Sequence, residues 1–350
     1  MSLVPIVIET RDSEGRLRPL SEPPTIQILF DGEPQATVGN VERLRPRYIR
    51  AAGQYRAWWP VPWNAKPGKY LVEVRCPLLS PQKWQWDSRP RKPKRPEEKR
   101  AQIAEMVCRA SFVVKARQPA KWPKGFCAVT WEAHPPTGRI LCPDGTRGDW
   151  RALLDWAEFM GADALWCRGA ITEVNRNWSL SMQQPFAPID EDMMHKIARE
   201  AHRRGLKFGT WAVAFSTHPA RSNAGKPPYR YAQRITSAGA VDSNYISLLD
   251  PDRPRHIGEF FKRMAQDPNI DMLGLDYFRP DPGSGYEISD LFTQRMPLDL
   301  PDTFLTWPQM RRWRYVARKV ELQWRRDPQF YEQWNWFIGH LLSQRLREIR

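Results

Sequence analysis

Four short apolar strands recur through the later two-thirds of this chain, each followed by a segment with helical periodicity. They are Phe126–Trp131, Ala164–Cys167, Leu206–Val213 and Ile270–Asp276. Between them, Trp150, Leu153, Leu154, Ala157 and Met160 share one helical face after Asp149, a good N-cap, and Gly161 ends the run. A second helix starts at Asp190, buries Met193, Met194, Ile197, Ala198 and Ala201, and stops at Gly205. A third carries Ile257, Phe260, Phe261 and Met264 inward, after a long loop from Ser216 to Asp250. Repeating strand–helix units of this kind demand a parallel sheet with right-handed crossovers. A closed barrel and an open doubly wound sheet both satisfy that demand. No Gly-x-Gly-x-x-Gly or P-loop follows any strand, which removes the usual sequence sign of nucleotide binding.

The segment before Gly125 has a different rhythm. Val4–Glu9, Thr25–Phe30, Gln54–Trp59, Lys69–Arg75 and Ala110–Lys115 are short, alternating, and rich in β-branched and aromatic residues. Asp31-Gly32 after Phe30 is a hairpin signal. Residues 1–115 therefore read as a small sandwich, immunoglobulin-like in outline. A basic, Pro-rich excursion at 78–109 interrupts it, with helical character around Glu97 to Val107. Residues 116–124 read as a linker and 125–350 as the second domain. From Gly285 the pattern is helical, with one stripe from Met310 through Trp313, Ala317 and Val320 to Trp324, and another from Trp334 to Ile349.

Composition narrows the class further. The chain has 350 residues, 41% of them hydrophobic, with 17 Trp, enough to bury a large core. No window approaches the roughly 18 apolar residues of a membrane span. The N-terminus lacks the basic region and the apolar length of a signal peptide. The net charge of +15 suits an anionic partner. Its densest source, Arg89–Pro96, reads as a solvated loop, and no nucleic-acid module accompanies it, which disfavours nucleic acid as the partner. Five cysteines without CxxC spacing argue against a structural zinc site and a disulfide scaffold. Cys76 and Cys108 are the one pair able to bridge within the first domain in an oxidising compartment. Neither a cofactor nor a metal is expected.

Candidate chemistry concentrates where the fourth strand ends. Asp276, Tyr277 and Arg279 stand between an apolar run and a Pro/Gly loop containing Pro280, Pro282, Gly283 and Gly285. Functional groups at the C-terminal ends of parallel strands are how α/β sheets and barrels display a site. The plainer alternative is that Asp276 caps the next helix or pairs with Arg279.

The segment Ile246-Ser-Leu-Leu-Asp-Pro-Asp-Arg-Pro254, a helix, and then Ile270-Asp-Met-Leu-Gly-Leu-Asp-Tyr-Phe-Arg-Pro280 resembles a bacterial glycoside-hydrolase-like family. Members of that group carry an "LDP" segment one helix before a "DGIHFDYIRYP"-type strand in a TIM barrel. Ala201-His-Arg-Arg-Gly-Leu206, Trp131, Arg168 and Trp211 fall in the same order here. The resemblance covers roughly residues 125–350 and implies an N-terminal β-sandwich followed by a TIM-barrel-like (β/α) domain. It implies hydrolysis of a poly- or oligosaccharide by paired carboxylates, with Asp276 as nucleophile or base. Tyr277 and Arg279 would flank it, Arg279 holding Asp276 ionised. Arg168, Trp211, Glu132 and His134, at other strand ends, would contact the sugar, neutral or anionic. An extracytoplasmic location follows from the resemblance alone.

The chain departs from the family in two places. Asp271-Met272 replaces the family's Asp-Gly. About four βα units are legible, and the residues from Gly125 on fall short of the roughly 250 or more of a complete barrel. The general acid expected on a later strand has no counterpart in this sequence. The expectation is a half-barrel completed or covered by a second polypeptide or by self-association. The alternative to an enzyme is a non-catalytic carbohydrate-binding or assembly protein on a hydrolase-derived scaffold, with Trp307, Trp313, Trp324, Trp334 and Trp336 as aromatic platforms rather than as helix packing.

Overall fold

The computed structural model describes residues 2–20, 22–78, 104–116, 125–132, 139–170, 188–216, 229–281, 285–322 and 327–350. These form two compact units. One comprises Met1–Pro119, Asp290–Thr306 and Arg318–His340; the other comprises Ala120–Ser289, Trp307–Ala317 and Leu341–Arg350.

The first unit begins with β1 (Leu3–Glu9), β2 (Thr25–Phe30), β3 (Glu33–Pro34), β4 (Arg43–Leu44), β5 (Arg47–Ile49), β6 (Gln54–Pro60), β7 (Gly68–Leu78) and β8 (Ala104–Val114). Two antiparallel sheets result, ordered β1-β6-β5 and β3-β2-β7-β8, with β4 also pairing β2. Ile6, Ala57 and Trp59 from the first sheet and Ile26, Ile28, Tyr70, Val72 and Val74 from the second make one core. Tyr70 stacks on Phe112 at 5.4 Å, and Trp59 packs beside both. Asp31 and Gly32 take positive φ at the β2–β3 turn, as their sequence predicts.

The helical reading of Glu97 to Val107 is corrected where it can be seen. Residues 104–107 open β8, which pairs with β7 from Leu78↔Ala104 to Gly68↔Val114. A continuous ladder satisfies every second backbone group, and that outweighs the helix preference of Ala and Glu. The basic block at 89–96 lies outside the described residues. All five cysteines are free, Cys76 buried and Cys108 exposed.

The helical segments of this unit supply a second aromatic core. Phe292 on α4 (Ser289–Arg295) meets Phe330, Trp334 and Phe337 of α6 (Pro328–Ile349) at 5.1–5.5 Å. Trp336, fully buried, donates its indole N–H to the Val61 carbonyl at 3.1 Å. Trp334 and Trp336 are thus packing residues rather than surface platforms.

The second unit holds β9 (Ala128–Trp131), the small pair β10 (Ile140–Leu141) and β11 (Arg147–Gly148), α1 (Ala152–Phe159), β12 (Ala164–Ala170), α2 (Pro188–Arg203) and β13 (Lys207–Val213). It continues with β14 (Tyr231–Thr236), β15 (Gly239–Ile246), α3 (Asp252–Met264) and β16 (Met272–Asp276); α5 (Gln309–Leu322) and α6 divide their residues between the units. The sheet β16-β13-β12-β9 is parallel throughout, as the strand–helix rhythm requires. It is open in the described residues, where no closed barrel forms.

Within the expected long loop from Ser216 to Asp250, residues 231–246 form a hairpin, and residues 217–228 lie outside the described residues. β14 and β15 pair antiparallel from Tyr231↔Ile246 to Thr236↔Gly239 across a two-residue turn. The alternation in Tyr231–Thr236 and Val241–Ile246 carries this signal, weakly, because seven of the twelve positions are small or polar. Helix α1 begins at Ala152 rather than at Asp149; Asp149 turns the chain before it, its carboxylate accepting the Arg151 N–H at 2.9 Å.

The Ala201-His-Arg-Arg-Gly-Leu206 segment has a structural account. Arg204 reaches Asp155 at 2.6 Å and Glu158 at 3.2 Å on α1, and Glu200 at 2.9 Å on its own helix. Two guanidinium groups, Arg203 and Arg204, hold the Glu200 carboxyl down at about 2. His202 Nε2 meets Asp271 Oδ2 at 2.8 Å, and the same oxygen accepts the Phe208 N–H at 2.8 Å. Asp271 therefore fastens the start of β13 to the approach to β16.

Candidate functional site

The parallel register decides which side chains can share a face. Trp166 stands opposite Gly209, and Arg168 opposite Trp211. Trp211 stands opposite Gly274, and Val213 opposite Asp276. Alternation along each strand then puts Trp166, Arg168, Trp211, Val213 and Asp276 on one face. Leu165, Cys167, Phe208 and Thr210 point to the other, where the helices pack. A Cβ at Gly169, on that helical side, would meet Thr210 Oγ1 and Met194 of α2. Arg168, Trp211 and Asp276, read from separate strand ends in the sequence, are brought onto the same face at its C-terminal edge.

Two glycines shape this face. A Cβ at Gly209 would lie 2.7 and 2.8 Å from Cε2 and Cδ2 of Trp166, the shared bond between its two rings. That bond has no outer edge, so the indole must present its flat face to the Gly209 backbone. A Cβ at Gly274 would lie 2.6 Å from Cζ3 of the same ring. The Trp166 side chain thus crosses from β12 over β13 to β16, and only residues without a side chain leave room for it. Trp211, beside it, is buried, and its Nε1 has no hydrogen-bond partner among the described residues.

Asp276 is exposed at the strand end, and its Oδ1 accepts the N–H of Tyr277 at 2.7 Å. Tyr277 has φ of +50°, a left-handed conformation uncommon for a bulky residue and frequent at sites. Its carbonyl accepts from Phe215, and that of Asp276 from Ala214, which carries the β13–β16 pairing one step past the strands. The Arg279 guanidinium lies 4.8 Å from the Tyr277 ring centre and hydrogen-bonds Tyr245. The expected pairing of Arg279 with Asp276 is replaced by this aromatic contact, because the turn at Tyr277 aims Arg279 toward the hairpin. Burial pushes the Tyr245 hydroxyl up, and Arg279 draws it back. Asp281, buried, lies 3.8 Å from Arg234.

Glu132 is exposed just past β9 and is not joined to this cluster by any contact on the described face. His134 lies outside the described residues. Among those residues, no group of three His, Cys, Asp or Glu is arranged to hold a metal ion, and no helix is long and apolar enough to cross a membrane.

Beneath the site, the Leu248–Pro254 segment acts as a clamp. Asp250, buried, accepts the N–H groups of Asp252 and Arg253 at 3.0 and 2.7 Å and of Arg230 at 2.7 Å. Arg253, fully buried, donates to the carbonyls of Ala214 and Val213 where β13 ends, and its guanidinium faces the Tyr229 ring at 5.4 Å. The hairpin is held in turn by Glu287. Its two oxygens accept Ser247 Oγ–H at 2.7 Å and Gln233 N–H at 3.1 Å, and burial raises its pKa. Sequence reading missed Trp166, Tyr245, Arg253 and Glu287. Arg253 alone carried a signal, lying inside the "LDP" segment; the others depend on partners far along the chain.

No family model matches the chain, and no curated protein matches it. Solved structures give loose likenesses. An alpha-N-acetylgalactosaminidase from Bifidobacterium bifidum, a quadruple mutant, is 16% identical with a TM-score of 0.28, over 46% of this chain and 29% of that one. A pullulanase from Bacillus acidopullulyticus is 11% identical with a TM-score of 0.28, over 78% of this chain and 37% of that one. The chain therefore spans well under half the length of these glycoside hydrolases, its distant structural neighbours.

Proposed function

We propose that this chain is a glycoside hydrolase, or the N-terminal portion of one, acting on a poly- or oligosaccharide with Asp276 as nucleophile or base. The observation that carries the reading is the shared face of Arg168, Trp211 and Asp276 at the C-terminal ends of parallel strands, opposite the helices. Glycosidic cleavage needs a carboxylate against the anomeric carbon or its attacking water, and a second carboxyl to protonate the leaving oxygen. Asp276 is exposed and free to face a ligand; Trp211 offers a buried N–H donor on the same face. Glu287 has the raised pKa of an acid, yet both its oxygens are engaged by the hairpin it holds. The open edges of β9 and β16, unpaired among the described residues, suit completion by a second polypeptide or another copy.

The test is hydrolysis of a panel of poly- and oligosaccharides by the native chain and by Asp276→Asn. Loss of at least about a hundredfold in rate on a cleaved glycan is expected. An undiminished rate overturns the assignment. A non-catalytic carbohydrate-binding role is favoured by one observation, that Asp276 already accepts its own chain's Tyr277 N–H. Glycan binding without turnover in the same panel would establish it.

A further inference from the structure

We propose that the Trp166 indole is a stacking platform for a pyranose ring at the Asp276 site, an inference that rests on the carbohydrate reading above. Trp166 is half-buried, and one face of its indole is seated on the Gly209 backbone with the far ring over Gly274. The opposite face looks away from the sheet, on the side that carries Arg168 and Asp276. No aromatic ring stacks on it among the described residues. An indole used only as core filler packs on both faces; here the sheet supplies one face and gives up two side chains to do so. Glycine in strand interiors weakens them and marks close approach by another group. Here that group is the ring itself, held flat against the sheet. A rigid aromatic plane beside a carboxylate and a guanidinium matches a sugar, whose axial C–H bonds form an apolar face ringed by hydroxyls. Pyranoside stacking fixes the ring's plane while Asp276 meets its edge.

The experiment is 19F NMR on the full chain labelled with 5-fluorotryptophan, with the Trp166 resonance assigned by Trp166→Phe, or by Trp166→Tyr if the first variant fails to accumulate. Maltohexaose, cellohexaose, xylohexaose, chitohexaose and hexagalacturonate are titrated in turn, with calorimetry in parallel. For a glycan that binds, the Trp166 resonance is expected to shift along the same isotherm, and Trp166→Ala to weaken binding roughly tenfold. Calorimetric binding with an unmoved Trp166 resonance overturns the platform and leaves the Asp276 assignment standing. Cleavage of a glycan at an undiminished rate by Asp276→Asn, with Trp166 still shifting, overturns the assignment and leaves the platform. Absence of binding and cleavage for every probe removes both.

Discussion

Arg253 Nε donates to the carbonyl of Ala214 at 2.6 Å, from a guanidinium with no solvent exposure. This contact ties the N-terminus of α3 to the C-terminal end of β13, one residue past the strand that carries Trp211. The two carbonyls it serves, those of Val213 and Ala214, stand where β13 ends, and without the guanidinium they would lose this buried donor. Replacing Arg253 with Ala is expected to cost about 3 kcal/mol or more, since it removes several buried hydrogen bonds at once. Urea unfolding measures this. A midpoint within error of the native chain would show that the carbonyls find water instead.

Adding one methyl group on the site face is a sharper test of the Trp166 geometry. Gly209→Ala and Gly274→Ala each bring a Cβ within 2.8 Å of the indole, too close for any side chain in a packed sheet. Each is expected to cost about 1–3 kcal/mol and to change the near-ultraviolet circular dichroism. Gly161→Ala and Gly205→Ala, where a Cβ would meet nothing within 4 Å, carry only the backbone strain of their positive φ and should leave that signal as it is.

Asp271 and His202 join two distant segments, and Asp271 also holds the Phe208 amide. Asp271→Ala should therefore cost more than His202→Ala, by about 1 kcal/mol, the worth of the extra backbone hydrogen bond. A double-mutant cycle in denaturant separates the two contributions. Equal costs would mean that the backbone contact contributes nothing.

Glu287 gives a pH dependence of definite sign. Burial raises its pKa above that of the unfolded chain, so the folded form holds the proton more tightly. Its contribution is fully present below the unfolded carboxyl's value of about 4.3 and is lost as pH rises through the higher folded value. Glu287→Gln removes that titration. The variant should gain on the native chain as pH rises from about 4.3 through the higher folded value, read as the difference in urea midpoints. A constant difference across that range would place the titration elsewhere.

The sequence by itself determined the local character of each segment. Alternation marked β1, β2, β6 and β7, and Asp31-Gly32 set a turn by requiring positive φ at consecutive residues. The recurrence of strands and amphipathic helices dictated a parallel sheet, since crossovers of that length join no other kind. Asp276 was legible as the residue at a strand end. Only the tertiary structure decided which distant side chains meet. The register of β12, β13 and β16 put Arg168, Trp211 and Asp276 on one face, and a slip of one residue would have sent any of them to the helices. It turned Arg279 from Asp276 to Tyr277 and Tyr245, and it gave Trp166 two glycines to lie against. Apart from the contact of Arg279 with its near neighbour Tyr277, these relationships link residues 34 to 108 positions apart. Periodicity and propensity act over a few residues, so the assembled face was beyond their reach.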